Sequence, residues 1–293
     1  MEAMATMNST GMILGNVGHR KGITVSPRRR CPVKCEALAS AQAKRMGNVI
    51  VIGATGGVGQ LVTAKLLERG FRVSALGRDP TRIDSMFDGR VPAYAGDLRT
   101  GEGLVQAIQG SKIIINCTGT TAFPSARWKG GTPDEVDNIG VKNVAAAAVK
   151  ARTVDRIVLI SSAGVERSDA FPYRILNAFG VLDAKRKGEK HVIDSGVPFT
   201  ILRPGRLTDG PYTSYDLNTL LQGTAGKRKG VNLAEGDIFD GETSRISVAE
   251  AAIQCLRIPA AIGRSFCVES VTGEGPGQDE GCWDSLFRAS LRS

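Results

Sequence analysis

A glycine-rich loop is the feature whose residue types and spacing most directly imply chemistry: Gly53-Ala54-Thr55-Gly56-Gly57-Val58-Gly59. The loop follows a short β-branched run and opens a predicted helix, the context that separates a phosphate-binding loop from an ordinary glycine turn. In such a loop Gly53 allows the tight turn, Gly56 lets the backbone approach a pyrophosphate, and Gly59 lets helix and strand pack closely.

The remaining residues of the loop supply the expected phosphate contacts. Backbone N–H groups near Gly57 and Val58 lie at the positive end of the predicted helix, where they bind phosphate. Thr55, in the same loop, is also expected to contact the cofactor. The loop therefore predicts a dinucleotide site, and the alternative is a glycine turn in an α/β protein that holds no cofactor.

The end of the next predicted strand indicates which dinucleotide binds. An NAD site usually places a carboxylate about 20 residues after the glycines, where it accepts hydrogen bonds from the ribose. Here that neighbourhood holds Gly77 and Arg78, and a guanidinium pairs bidentately with a 2′-phosphate. We therefore expect NADP(H) rather than NAD(H). Two alternatives stay open, because Asp79 could turn toward a 2′-hydroxyl and Arg78 could be a solvated loop cation.

Two later loops are expected to complete the cofactor site. Asp97 and Leu98 follow the third predicted strand, where the carboxylate would accept from the adenine amino group and the leucine would pack on the ring. The fourth strand ends at Cys117-Thr118-Gly119, where backbone contacts to the cofactor are expected. The alternatives are a helix cap for the first pair and a plain turn for the second.

The order of the predicted elements explains how these loops would come together. Strand-like apolar runs alternate with helical patterns, and they lie at 48–53, 71–76, 91–95, 112–117, 156–161 and 198–202. One helix is predicted over 133–151, and the segment 175–195 is predicted to be mainly helical. This alternation predicts an α/β fold with a Rossmann-type, doubly wound parallel sheet.

Residues 47–293 are expected to form one NAD(P)-binding domain, in which 204–293 make a small C-terminal lobe on the substrate side. That last part is less regular than the rest. It is predicted to contain a strand near 265–269 and three helices, near 214–222, 247–257 and 279–290.

The first 46 residues differ in composition from the rest of the chain. They hold eight basic and two acidic residues, which is six of the nine excess positive charges, with several Ser and Thr and no long apolar run. This composition predicts an organelle transit peptide, with the plastid favoured and cleavage near Cys35. The alternative is a disordered basic tail that stays attached.

Composition also excludes several classes of function. No apolar run approaches the ~20 residues of a membrane helix, so a membrane span is not expected. Because the excess charge lies mostly in the leader, a nucleic-acid partner is not favoured. The sequence has only two histidines, and Cys117, Cys255, Cys267 and Cys282 lack CxxC spacing, so neither a metal site nor disulfides are expected.

Taken together, the motifs resemble the short-chain dehydrogenase/reductase superfamily, in its atypical NmrA-like, NAD(P)H-binding branch. The segments that carry the resemblance span about residues 48–205 and are the glycine loop, Asp97-Leu98, Ser161-Ser162-Ala163-Gly164-Val165, Lys185-Arg186-Lys187-Gly188-Glu189 and Arg203-Pro204-Gly205. The continuation over 206–215 resembles uncharacterised plant chloroplast members of this branch.

The resemblance implies a catalytic set of a serine, a tyrosine and a lysine. In the superfamily the serine orients the substrate carbonyl, the tyrosine supplies the proton, and the lysine lowers the pKa of the tyrosine and holds the nicotinamide ribose. Ser161 or Ser162 matches the serine, and Lys185 matches the lysine. The tyrosine position, four residues before Lys185, is Val181, which cannot donate a proton.

Other residues stay open as participants. Tyr173, Tyr212 and Tyr215 could replace the missing acid, but each is more often a packed or rim tyrosine. Asn138 and Asn143 lie in a region that supports the lysine in relatives. Arg203 is expected either to hold a carboxylate at the cofactor site or to be structural.

Two functions follow from these expectations. The first is an NADPH-dependent oxidoreductase of the chloroplast that acts on an unidentified small acceptor, with Val181 making its active site non-standard. The second is a catalytically silent, NADP(H)-sensing platform for the assembly or regulation of chloroplast protein or RNA complexes.

Overall fold

The computed structural model describes residues 46–124, 128–129, 131–209 and 229–291. Its centre is an eight-stranded sheet in the order β3-β2-β1-β4-β5-β6-β10-β8. The strands are β1 (Asn48–Ile52), β2 (Arg72–Gly77), β3 (Ala93–Ala95), β4 (Ser111–Asn116), β5 (Arg156–Ile160), β6 (Phe199–Pro204), β8 (Gly230–Glu235) and β10 (Arg264–Val271), while β7 (Arg206–Leu207) and β9 (Glu242–Thr243) form a separate small pair.

All neighbouring strands of this sheet run parallel except β8, which pairs antiparallel with β10. The strand order reverses between β1 and β4, and such a switch point opens a crevice at the carboxyl ends of the strands. The structure confirms the predicted Rossmann-type, doubly wound sheet.

Helices cover both faces of the sheet. They are α1 (Gly57–Glu68), α2 (Pro80–Met86), α3 (Leu104–Ile108), α4 (Val141–Ala151), α5 (Tyr173–Leu176), α6 (Val181–Asp194), α7 (Arg245–Gln254) and α8 (Glu280–Ser290). In β1, Val49 and Val51 pack in the core under α1, α7 and α8, whereas Ile50 and Ile52 pack in the core under α3 and α4. Burial on both faces explains the continuous apolar strands of the sequence.

Two predicted helices have a different form in the structure. The first turns of the helix predicted over 133–151 are a π-helix, Asp134–Gly140, which continues into α4. The segment 175–195 is split into α5 and α6, because Gly180 adopts a φ of +73° between them. Both changes lie beside the candidate site described below. π-helical turns are frequent at functional sites.

The described part of 204–293 continues the main sheet. β10 and α8 confirm the predicted strand and last helix, and the helix predicted over 247–257 is α7 followed by a 3₁₀ turn, Cys255–Arg257. Strand β8 is missing from the prediction because it falls outside the βα alternation. The helix predicted near 214–222 and the predicted leader lie outside the described residues, and a separate lobe stays a prediction.

Candidate dinucleotide and active site

The glycine turn after β1 has the geometry that close backbone approach requires. Gly53 adopts a φ of +82°, and a Cβ on Gly59 would lie 2.1 Å from the Gly53 carbonyl oxygen. Gly56 caps α1 without any side-chain hydrogen bond, so no side chain competes with an anion for the first amides of the helix. The turn therefore fits a pyrophosphate.

A cavity of about 270 Å³ opens next to this turn at the carboxyl ends of β1 to β4. Nine of the predicted cofactor contacts line it: Gly53, Thr55, Gly56, Arg78, Asp97, Leu98, Cys117, Thr118 and Gly119. Burial raises the pKa of the Cys117 thiol to about 12, so Cys117 is neutral in this wall. The structure thus brings four loops, far apart in sequence, to one crevice.

Arg99 is a cavity residue that the sequence motifs did not reveal. Its guanidinium donates to both carboxylate oxygens of Asp97, with an Nη2–Oδ2 distance of 2.5 Å, and these hydrogen bonds lower the pKa of Asp97. Asp97, predicted to accept from adenine, is thus already paired with Arg99. Arg78 lies close enough to contribute to the same lowering, so two guanidinium groups line this end of the cavity.

Two neighbouring side chains are engaged in holding the backbone. Asp79 accepts from the amides of Thr81 and Arg82 and caps α2, which is not the orientation toward a ribose hydroxyl considered from the sequence. Asn143 donates to the carbonyl oxygens of Leu98 and Arg99. Asn143 therefore supports the loop that carries Leu98 and Arg99 rather than Lys185.

Gly57, Val58 and Gly59 form the first turn of α1 and do not line the cavity itself. A second basic residue without a sequence signal lies over this turn. A Cβ on Gly57 would lie 3.0 Å from Arg245 Nε, and the Arg245 backbone N–H donates to Asp209. Arg245 begins α7 and so adds positive charge beside the predicted pyrophosphate position.

Lys185 lies beside the end of β4, as its proposed contact with the nicotinamide ribose requires. Its ammonium donates to Asp137 Oδ1 at 2.6 Å, and a Cβ on Gly119 would lie 2.9 Å from Lys185 Nζ. Asp137 Oδ2 accepts from the amide and hydroxyl of Thr120. Asp137, on the π-helix, is the residue that holds Lys185, whereas Asn138 pairs with Asp134 and His191.

The two serines after β5 differ in their surroundings. The Ser161 hydroxyl oxygen is buried and has no hydrogen-bond partner among the described residues. Ser162 is partly exposed and donates to the Ala163 carbonyl oxygen at 3.0 Å. A buried hydroxyl without a partner is costly, so Ser161 is the serine with an unmet hydrogen-bonding capacity.

The tyrosine position of the resemblance is fully apolar in the structure. Val181 is buried with Val165, Tyr173 and Leu182. The Tyr173 hydroxyl donates to Asp240 at 2.8 Å, and burial together with that contact raises the pKa of Tyr173 well above its ordinary value. Tyr173 is thus anchored as a structural residue, and Tyr212 and Tyr215 lie outside the described residues.

Arg203 has the structural role, which is one of the two roles that the sequence left open. Its guanidinium donates through Nε and Nη2 to both carboxylate oxygens of the buried Glu189, and Nη1 pairs with Glu166 at 2.7 Å. Arg203 does not line the cavity. The predicted contact of Arg203 with the cofactor is therefore not seen, because buried charges need partners and Glu189 supplies one.

Fold and cavity together define a dinucleotide-binding protein of the Rossmann type. Residues 53–259 match the family model described as NAD(P)H-binding, and the chain belongs to this family. The structure resembles an oxidoreductase of Lactococcus lactis, with a TM-score of 0.61, 18% identity, and coverage of 84% of this chain and 97% of that one.

The sequence is also similar to several curated proteins. An uncharacterised chloroplastic protein of Arabidopsis thaliana is 31% identical over 76% of this chain and 77% of its own length. The chloroplastic protein TIC 62 of the same plant is 29% identical over 87% of this chain, which spans only 41% of TIC 62. Sanguinarine reductase of Eschscholzia californica is 28% identical over 84% of this chain and 97% of its own length.

The described residues show three further features. They contain no cluster of His, Cys, Asp and Glu that could hold a metal ion. No helix among them is long and apolar enough to cross a membrane, and the four described cysteines are free thiols.

Proposed function

We propose that this chain is an NADPH-dependent oxidoreductase that passes a hydride to a small acceptor without a tyrosine acid. The observation that carries the proposal is the crevice at the sheet switch point. There the glycine turn at Gly53 lies against Cys117 and Thr118, and Lys185 lies against Gly119 in the loop after β4. Reductases among the relatives support hydride transfer as the kind of chemistry.

The choice of NADP(H) rests on charge at the adenine end of the cavity. Arg78 and Arg99 line the cavity where the ribose 2′-phosphate of NADP(H) would lie, and Arg99 pairs with Asp97. Since a guanidinium pairs with phosphate through a planar fork, this arrangement favours NADPH over NADH. A structurally similar protein of Veillonella parvula was solved in complex with NADP.

On the catalytic side each residue has a distinct task. NADPH, when bound, supplies the hydride. Lys185, held by Asp137, orients the nicotinamide ribose at Gly119, while Ser161 and Ser162 offer hydroxyl groups to the acceptor. Because Val181 cannot give a proton, the acceptor is one that takes a hydride readily and receives its proton from water.

Turnover measurements test this proposal. NADPH oxidation is followed by absorbance against a quinone, a flavin and an aliphatic aldehyde. Lys185→Ala should reduce turnover by at least roughly 100-fold, while Lys187→Ala, an exposed lysine on the same helix, should leave it unchanged. Equal activity of the Lys185→Ala variant and the wild type would contradict the assignment of Lys185.

A silent platform is the second candidate, and buried Val181 is the observation that favours it. In this alternative, NADP(H) occupies the site as a redox signal while the surface binds other chloroplast proteins or RNA. Tight NADPH binding with no turnover across the acceptor panel would favour the platform over the enzyme.

We place the protein in the chloroplast, in the stroma or at the periphery of a membrane. The chloroplastic relatives and the basic, Ser/Thr-rich composition of residues 1–46 support this placement. N-terminal sequencing of the native protein tests it: a start near Cys35 is expected, and an intact Met1 would contradict a cleaved transit peptide.

A further inference from the structure

Three aromatic side chains form a cluster outside the lining of the cofactor cavity. Phe123 and Trp128 come from the loop after β4, and Phe179 precedes α6. The Phe179 ring lies 6.1 Å from Phe123 and 6.0 Å from Trp128, centroid to centroid, and both pairs are edge-to-face. Phe123 is 47% exposed and Phe179 is 50% exposed, so this aromatic cluster presents ring surface to solvent.

The aromatic cluster lies near the residues that hold Lys185. The Trp128 indole N–H donates to the Thr121 carbonyl oxygen at 3.2 Å, and Thr121 follows Thr120, which shares Asp137 with Lys185. Phe179 is two residues before Val181, so their Cα atoms are at most ~7.6 Å apart. Ala122, which precedes Phe123, also packs on the cluster of Val165, Tyr173, Val181 and Leu182.

We propose that the aromatic cluster binds the hydride acceptor, and that this acceptor is a planar, conjugated ring system of the flavin or naphthoquinone class. Exposed aromatic edges and faces favour a flat aromatic ligand, which adds a further stacked or edge-to-face ring. An apolar cluster beside a position without an acid suits an acceptor that spreads the incoming electrons over its own rings.

This inference rests on the proposed function and fixes its substrate class. A hydride leaves C4 of the nicotinamide of NADPH and forms a bond to the acceptor ring, which gains two electrons and a negative charge. NADPH becomes NADP⁺, and the reduced acceptor then takes one proton from water. An aliphatic aldehyde would form a localised alkoxide, which needs the tyrosine proton that Val181 does not supply.

The binding test uses the full chain with saturating NADP⁺, so that no hydride transfer occurs. Lumiflavin is titrated while tryptophan emission is recorded. Trp128 lies in the cluster, whereas Trp283 is 1% exposed within the core, so Trp128→Phe separates the two signals. We expect lumiflavin to quench Trp128 saturably, and Trp128→Phe to remove most of the quenching while calorimetry still detects binding.

Alanine variants then locate the ligand. Phe179→Ala and Phe123→Ala should each weaken lumiflavin binding roughly fivefold to tenfold, with NADPH affinity unchanged. Tyr94→Ala is the matched control, because Tyr94 is an exposed aromatic on β3 that does not line the cavity. Equal lumiflavin affinity in all variants, or no saturable quenching, overturns the inference.

The same proteins separate this inference from the proposed function. NADPH oxidation by lumiflavin or menadione, with KM raised in Phe179→Ala and kcat nearly unchanged, supports both. Oxidation by an aliphatic aldehyde without lumiflavin binding overturns the planar acceptor and leaves the oxidoreductase standing. Lumiflavin binding at the cluster without NADPH oxidation by any acceptor overturns the oxidoreductase instead.

Discussion

The substitution Asp137→Asn should destabilise the protein strongly, because it removes the negative partner of an enclosed ammonium. The side chains of Asp137 and Lys185 are 2% and 12% exposed, and their charged atoms lie 2.6 Å apart. Breaking a buried pair from one side costs about 3–5 kcal/mol, since the remaining charge loses its partner. An Asn oxygen still accepts one hydrogen bond, so we expect a loss of about 3 kcal/mol.

Chemical denaturation of the purified chain measures this loss. Asp134→Asn is the matched control, because Asp134 is an exposed acid on the same π-helix and should change the free energy of unfolding by less than about 0.5 kcal/mol. Lys185→Met combined with Asp137→Asn should cost less than the sum of the single substitutions, since no unpaired ammonium remains. A loss below about 1 kcal/mol for Asp137→Asn, or strict additivity, would refute the buried-pair reasoning.

Four further substitutions probe the site and its support. Arg78→Ala should raise the Kd of NADPH at least roughly tenfold and leave NADH unchanged, whereas Arg245→Ala should weaken both cofactors alike, as calorimetric titration would show. Gly59→Ala would place a Cβ 2.1 Å from the Gly53 oxygen, and should abolish NADPH binding and lower stability by about 1–3 kcal/mol. Burial opposes ionisation of Asp237, yet hydrogen bonds from Gly164, Glu166 and Arg167 lower the pKa of its carboxyl below the ordinary 3.8. The ionised carboxylate therefore stabilises the folded protein fully above pH 3.8, and this stabilisation is lost as the pH falls through the lowered pKa. Asp237→Asn should therefore cost about 2 kcal/mol at neutral pH, and the difference should shrink as pH falls below 3.8; a difference independent of pH would contradict this explanation.

The parts of the fold that the sequence predicted correctly are those encoded by local periodicity. Continuous β-branched runs separated by helical patterns are typical of buried strands with crossover helices, and this pattern predicted the central parallel strands. Strand β8 could not be found in this way, because its antiparallel pairing with β10 obeys no βα alternation. The break at Gly180 depends on a positive φ, which a glycine permits but does not require.

The site residues likewise divide into those that sequence motifs predicted and those that only the structure reveals. The glycine turn and the residues at the strand ends are close to one another because parallel strands bring their carboxyl ends to one edge, and the motif spacing already implies this. Asp137, Arg99 and Arg245 carry no motif, and only the tertiary structure places them against Lys185, Asp97 and Gly57. Arg203 illustrates the opposite case, since a charge inside a family motif turned out to be neutralised by Glu189.

Calorimetric titration of the purified chain with NADPH, and then with NADH, tests the central claim most directly. We expect micromolar binding of NADPH and much weaker binding of NADH, because Arg78 and Arg99 favour the 2′-phosphate. Failure of both nucleotides to bind would contradict the assignment of the crevice as a cofactor site. Tighter binding of NADH than NADPH would contradict the role given to the two arginines.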